Sequence, residues 1–391
     1  MTAHAPAIGR VQSPTGRGVA ELHLPPIVHF GRGAVAALGP EARGFGERAL
    51  LVTDRGLAAS GIVDQVARVL RDAGVEPLIF DRVEPNPTIA QVEAGLQAGA
   101  GKEIRVIVSV GGGSAHDCAK VIALVATNGG DVREFEGLDR SAHRGLPLIC
   151  VNTTAGSGAD VSRYAVITDP RRDLKMIIVD RHLMPRVAIN DPLLTVGMPT
   201  AVTMASGIDA LTHAIEAYVS TLASELSSLY ALRAMELVVA DLEIAVRDGA
   251  DLDAREGMMM GSMLAGLAID SASVGAVHAM AHQLGAVYDL PHGVCNGILL
   301  PVVVEFNESS ASERYGRIAA LFGGASTGRR LPALLRSLGD RVGLPRGLSE
   351  LGVDRARIPE LAARAMTDMC MSTNPRPMTE ADVSRLFERA L

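Results

Sequence analysis

"IRVIVSVGGGSAHDCAK", Ile104 to Lys120, changes its grammar in the middle. Its first seven residues are a β-branched apolar run of the length expected of a buried strand, and its end opens a helix. Between the two, Gly111, Gly112 and Gly113 let the backbone approach a ligand closely, and the free N–H groups of a first helical turn favour a phosphate. Strand, glycine loop and helix start in that order describe the phosphate-binding corner of a dinucleotide site. The same residues would also make a plain tight turn. The spacing does not match G-x-G-x-x-G, so the standard fingerprint is absent.

Outward from this corner, strand and helix signals alternate. "RALLVTD" (48–54) reads as a strand, "IVDQVARVLRDAG" (62–74) as a helix, "EPLIFD" (76–81) as a strand, "TIAQVEAGLQAGAGK" (88–102) as a helix and "PLICVN" (147–152) as a further strand. Short strands separated by amphipathic helices predict a parallel sheet wrapped by helices. Beyond about residue 196 the β-branched runs largely stop, and "ELSSLYALRAMELVVADLEIAVRDG" (225–249) carries apolar residues at helical spacing. The expected fold class is α/β plus all-α: a Rossmann-like dinucleotide-binding domain over 21–195, then a helical domain over 196–391. The boundary falls near "DPLLTVGMP" (191–199), and residues 1–20 read as a loose tail. A ligand cleft is expected between the halves, at the carboxyl ends of the parallel strands.

The 391 residues suit two domains, each with a full core. Net charge is -7, which argues against a nucleic-acid or anionic-membrane partner. No apolar run reaches the ~18 residues of a spanning helix. Cys118, Cys150, Cys295 and Cys370 are scattered without C-x-x-C spacing, which fits a reducing, cytoplasmic setting.

Two further stretches carry chemistry. "GIDALTHAIEAY" (207–218) sets Asp209 and His213 four apart, hence on one helical face inside an apolar run. They could simply pair with each other or with backbone. Downstream, "AVHAMAHQLGAVYDLPHGVCNGILLP" (276–301) repeats the spacing in His278 and His282 and adds His292. Five imidazole and carboxylate groups suit a borderline divalent metal such as Fe2+, Zn2+ or Co2+. Spacing alone does not say which histidine is spare. On the sheet side, Asp54 ends a strand, where a carboxylate can take both ribose hydroxyls of an adenosine or cap the following turn. "TTAGSGAD" (153–160) offers hydroxyls and glycine amides at the same sheet edge. The Met run "MMMGSMLAGLA" (258–268) reads as pocket lining or, more often at helical spacing, as core filler.

"EPNPT" (84–88), the glycine loop, "TTAGSGAD", "GIDALTHAIEAY" and "HAMAHQLGAVYDLPHG" together, in this order, resemble the iron-dependent (group III) alcohol dehydrogenase family, the group that contains lactaldehyde reductase and 1,3-propanediol dehydrogenase. The resemblance implies a metal held by Asp209, His213, His278 and His292, with His282 left to face the nicotinamide and relay a proton. It also implies NAD contacts at Asp54, Asn86, Gly112, Gly113, Ser114, Thr153, Thr154, Ser157, Ser162 and Lys175. The implied chemistry is reversible hydride transfer between a primary alcohol or aldehyde and NAD(H), in a homodimer or higher homo-oligomer. Ser157, Asp160, Ser162 and Tyr164 depart from the family's usual residues and are expected on the cofactor side of the cleft. The competing expectation is a sensor that binds NAD and metal without turnover; metal-assisted hydrolysis or lyase chemistry is a third.

Overall fold

The computed structural model describes residues 21–323 and 327–391. The tail expected over 1–20 lies outside the described residues. Among the described residues nine strands precede residue 191: β1 (Ile27–Phe30), β2 (Arg48–Asp54), β3 (Glu76–Val83), β4 (Val106–Gly111), β5 (Gly137–Leu138), β6 (Leu148–Asn152), β7 (Tyr164–Asp169), β8 (Leu174–Val179) and β9 (Val187–Asn190). Six of them form one parallel sheet in the order β1-β9-β6-β4-β2-β3. The inner strands are apolar on both faces because helices cover both. Leu50, Val52, Ile107, Leu148 and Cys150 pack with the Ile89–Gly99 and Gly113–Asn128 helices on one side. Their neighbours Ala49, Leu51, Val106, Val108, Ile149 and Val151 pack with the Ile62–Asp72 helix on the other. This is the two-residue alternation of a pleated strand.

From β2 the chain steps outward to β3 and then returns to the other side of β2 as β4, so the order of strand addition reverses between β2 and β4. Such a switch point opens a crevice beyond the strand ends. Asp54, Gly111 and Asn152 end β2, β4 and β6 there.

A second, three-stranded sheet in the order β5-β8-β7 was not foreseen. β7 and β8 pair antiparallel around a loop whose Arg171 N–H donates to Asp169 Oδ1 and whose Asp173 has φ 47°. The hairpin matters because β8 carries Lys175 into the cleft.

From Thr200 onward all regular structure among the described residues is helical. The expected helix over 225–249 spans Glu225–Arg247 and starts with Ser224 accepting from the Ser227 N–H. The Thr200–Val219 helix is buried on all sides from Gly207 to Val219. Met258 of the methionine run belongs to the helical core, and neither it nor the buried Met259 lines the cleft.

Candidate active site

One cavity of about 370 Å³ lies against both halves. Asn86, Gly113, Ser114, Thr154, Ser157, Ser162 and Lys175 line it from the sheet side, and Asp209, His213, His278, His282 and His292 from the helical side. Gly112, Thr153 and Asp54 stand outside the lining. Gly112 is the residue before the helix, and a Cβ there would come 2.8 Å from Thr154 Oγ1; one on Gly113 would come 2.9 Å from Ser157 Cβ. Both positions need glycine because two loops meet at this corner. Thr153 is buried, its N–H on the Gly111 carbonyl at 2.9 Å. Asp54 Oδ1 accepts from the Leu57 N–H at 2.8 Å and so caps the next helix. Of the four departures, Ser157, Ser162 and Tyr164 line the cavity. Asp160 is buried behind it, where Oδ2 accepts from Asn190.

Lys175 Nζ donates to Asn86 Oδ1 at 2.7 Å, and Asn86 Nδ2 donates to Asp289 Oδ1 at 2.6 Å. This chain ties the sheet side to the end of the Ala276–Tyr288 helix. Burial pulls Lys175 below its ordinary pKa.

The helical side is a constellation of side chains. Asp209, His278 and His292, from three different helices, bring their ligand atoms within 4.8 Å of one another. Nε2 of His278 and Nε2 of His292 lie 3.8 and 3.7 Å from Asp209 Oδ1. Ligands about 2.1 Å from a common ion at the tetrahedral angle sit roughly 3.4 Å apart, so the donors are spaced nearly as a small cation requires. His213 is less closely gathered. Its Nδ1 is 4.0 Å from Asp209 Oδ2 and 3.3 Å from the Gly156 carbonyl, while its ring stacks on His278 at 4.6 Å. Donation from Nδ1–H to that carbonyl leaves Nε2 with its lone pair. Burial lowers the His213 pKa to about 4, so the ring is neutral, as a ligand must be. Burial and the neighbouring imidazoles likewise hold His292 well below its ordinary value.

Two carboxylates orient these rings. His278 Nδ1 meets Glu216 Oε2 at 2.5 Å, and Glu216 Oε1 accepts from the Val277 N–H at 2.7 Å. A carboxylate behind a histidine fixes the tautomer and aims Nε2 forward. His282 Nδ1 meets Asp368 Oδ2 at 2.8 Å. Burial alone would raise the Asp368 carboxyl, yet His282 and the Cys370 N–H keep it below the ordinary carboxylate range. It therefore accepts from Nδ1–H and leaves His282 Nε2 free to take a proton. The donor chemistry, the spacing and the tautomers fit a divalent metal.

Family profiles cover both halves: iron-containing alcohol dehydrogenase over residues 25–192, and the C-terminal part of the Fe-containing alcohol dehydrogenase family over 203–391. A 1,3-propanediol dehydrogenase of Klebsiella pneumoniae is 41% identical over 377 residues, covering 94% of this chain and 97% of its own. The chain belongs to the iron-containing alcohol dehydrogenase family. An NAD-dependent methanol dehydrogenase of Bacillus methanolicus is 39% identical across 94% of this chain and 99% of its own. The crystal structure of a 1,3-propanediol oxidoreductase superposes with a TM-score of 0.93 at 40% identity, over 95% of this chain and all (100%) of that one. Like other members of the family, the chain is an oxidoreductase of alcohols and aldehydes that uses iron.

Several residues of this dehydrogenase site were missed in the sequence. Glu216 lies seven residues after Asp209, on the same helical face, and that spacing could have found it. Asp117, half-buried at the cavity wall with Oδ2 accepting from the Val166 N–H, sits inside the glycine-loop motif. Burial raises its pKa to about 6 despite the nearby Lys120. Asp368 and the cavity-lining Cys370 gave no local signal.

Proposed function

We propose that the chain interconverts a primary alcohol and its aldehyde with NAD(H), using a cofactor domain over 21–195 and a metal domain over 196–391. The observation that carries this reading is the single cavity faced by both the glycine corner and the Asp209–His278–His292 cluster. NAD use is supported by the NAD-dependent methanol dehydrogenase relative, and by a related sulfoacetaldehyde reductase solved in complex with NAD+.

Asp209, His213, His278 and His292 would hold the metal, and Gly112, Gly113, Ser114, Thr153, Thr154, Ser157, Ser162, Asn86, Lys175 and Asp54 the cofactor. When bound, Fe2+ or another divalent metal makes the alcohol oxygen more acidic, and NAD accepts the hydride. The chain's own residues do the rest. His282 Nε2 takes the alcohol proton while Asp368 holds the ring by Nδ1–H. Ile177, Ile269 and Val274 wall the cavity with apolar surface and keep bulk water from the reacting groups. Two carboxylates, Asp209 and Glu216, favour positive charge at the cluster.

A spectrophotometric assay at the nicotinamide absorbance, with Fe2+ or Zn2+ and a panel of primary alcohols and aldehydes, tests the reading. Turnover with NAD is expected. Metal and NAD bound without turnover across the panel would instead establish the sensor reading. His282→Gln should keep its metal and lose alcohol oxidation, most severely below neutral pH where solvent is a poor base. A metal-free His282→Gln protein would make His282 a ligand.

A further inference from the structure

We infer that Lys120 and Asp117 are positioning residues for the cavity wall, an inference that rests on the reading of this cavity as the cofactor cleft. β7 stands at an edge of the three-stranded sheet, with β8 on its other side. An edge strand leaves a row of N–H and C=O groups without strand partners. Here the Gly113–Asn128 helix supplies them: Lys120 Nζ donates to the Tyr164 carbonyl at 2.6 Å, and Asp117 Oδ2 accepts from the Val166 N–H at 3.0 Å. Two residues further on, the Thr168 N–H donates to the Pro87 carbonyl at 2.7 Å. Alternate residues of a strand turn their backbone groups to the same edge, so two helical side chains and the segment at Pro87 take the place of a neighbouring strand.

That edge decides where one face of the cavity stands. Tyr164, Val166 and Thr168 line the cavity, while Ala165 and Ile167 are buried in the core with Ile122 and Ile178. β8 follows β7, because Lys175 is paired directly with Thr168. Neither strand belongs to the six-stranded sheet that ends in the glycine corner. The contacts of Asp117 and Lys120 therefore join the two walls. The helix that begins with Gly113 and Ser114 at the cavity carries, one turn later, two side chains three apart on one face that hold the wall opposite.

Packing gives no reason for a lysine at this position. Lys120 is fully buried, and a buried ammonium is costly unless its charge is answered. Asp117, Asp160 and Asp270 answer it from nearby, yet its hydrogen bond goes to a backbone carbonyl. A methionine would fill much the same space, and what it would lack is the donated proton. The strand that Lys120 holds accounts for the lysine.

The test is hydrogen exchange of β7, read by mass spectrometry, together with NADH binding to the metal-loaded full chain, read by fluorescence. Lys120→Met is close in shape and cannot donate; Lys120→Gln, one bond too short to reach Tyr164, gives the reading if methionine prevents folding. In either variant β7 should exchange at least about tenfold faster while β2 and β9 keep wild-type rates. NADH should bind about fivefold more weakly. A lysine that served stability alone would speed exchange in β2 and β9 as well, and that result would overturn the inference. Wild-type exchange of β7, or faster exchange with wild-type NADH affinity, would also overturn it and leave the cofactor reading standing. A wild-type chain that binds no NADH would overturn both.

Discussion

The sheet side of the cleft offers a ligand mostly backbone and hydroxyls: the loops at Gly112, Gly113 and Ser114, and at Thr154 and Ser157, meet so closely that a Cβ does not fit. The helical side offers imidazoles and carboxylates at fixed positions on buried helices, with His278 and His282 each braced by a partner from elsewhere in the chain. A diffuse, extended ligand is served by surfaces that come close. A point charge is served by a few atoms aimed at one place. The two sides should therefore fail differently when altered.

The largest effect is expected on the helical side. His278→Ala removes a donor and strands Glu216 as a buried charge without its partner. Breaking a buried pair in this way costs about 3–5 kcal/mol. Thermal melts should drop by several degrees and metal analysis should show loss of metal; an unchanged melt would mean that Glu216 is not held by this pair. On the sheet side, Gly113→Ala should act on stability and cofactor affinity but not on the metal. Overpacking against Ser157 costs about 1–3 kcal/mol of stability, and the displaced loop should raise the KM for NAD about tenfold while metal content stays at wild type. If metal is lost as well, the two sides are coupled more tightly than their construction indicates.

Asp368→Asn should keep metal and cofactor but lower the rate about 10- to 100-fold, because the amide no longer selects the His282 tautomer. Initial rates across pH measure this, and a wild-type profile would remove Asp368 from the machinery. A smaller effect concerns Asp117. Its folded pKa of about 6 lies above the ordinary 3.8, so the folded chain holds this proton longer than the unfolded one. Its contribution to stability is therefore lost as pH rises from about 4 through 6. Asp117→Asn lacks this loss and should gain on wild type in melting temperature between pH 4 and 7; a constant difference across that range would refute it. The mildest change is Asp54→Gly. It should relax the preference of NAD over NADP, measured as the ratio of kcat/KM values, and cost only about a few tenths of a kcal/mol, since glycine still serves at a helix start. A wild type that prefers NADP would take Asp54 out of cofactor selection.

The parallel sheet and the paired spacings Asp209–His213 and His278–His282 were open to a reading of the residues because each rests on short-range rules, whereas the ligand set Asp209, His213, His278 and His292 came only from the resemblance of the motifs to the family. Period two makes a strand, period three to four makes a helix face, and glycine after a strand makes a close corner. The β7–β8 hairpin escaped notice although its Asp-Pro turn was in plain view, since it directly follows a loop whose polar residues read as ligand-binding. Only the tertiary structure decided which residues stand behind the histidines. Asp368 is 86 residues from His282, and Glu216 meets His278 across 62. Neither pairing has a period or a motif to announce it. They exist because separate segments pack against one another, and packing joins residues by distance in space, on which spacing along the chain is silent.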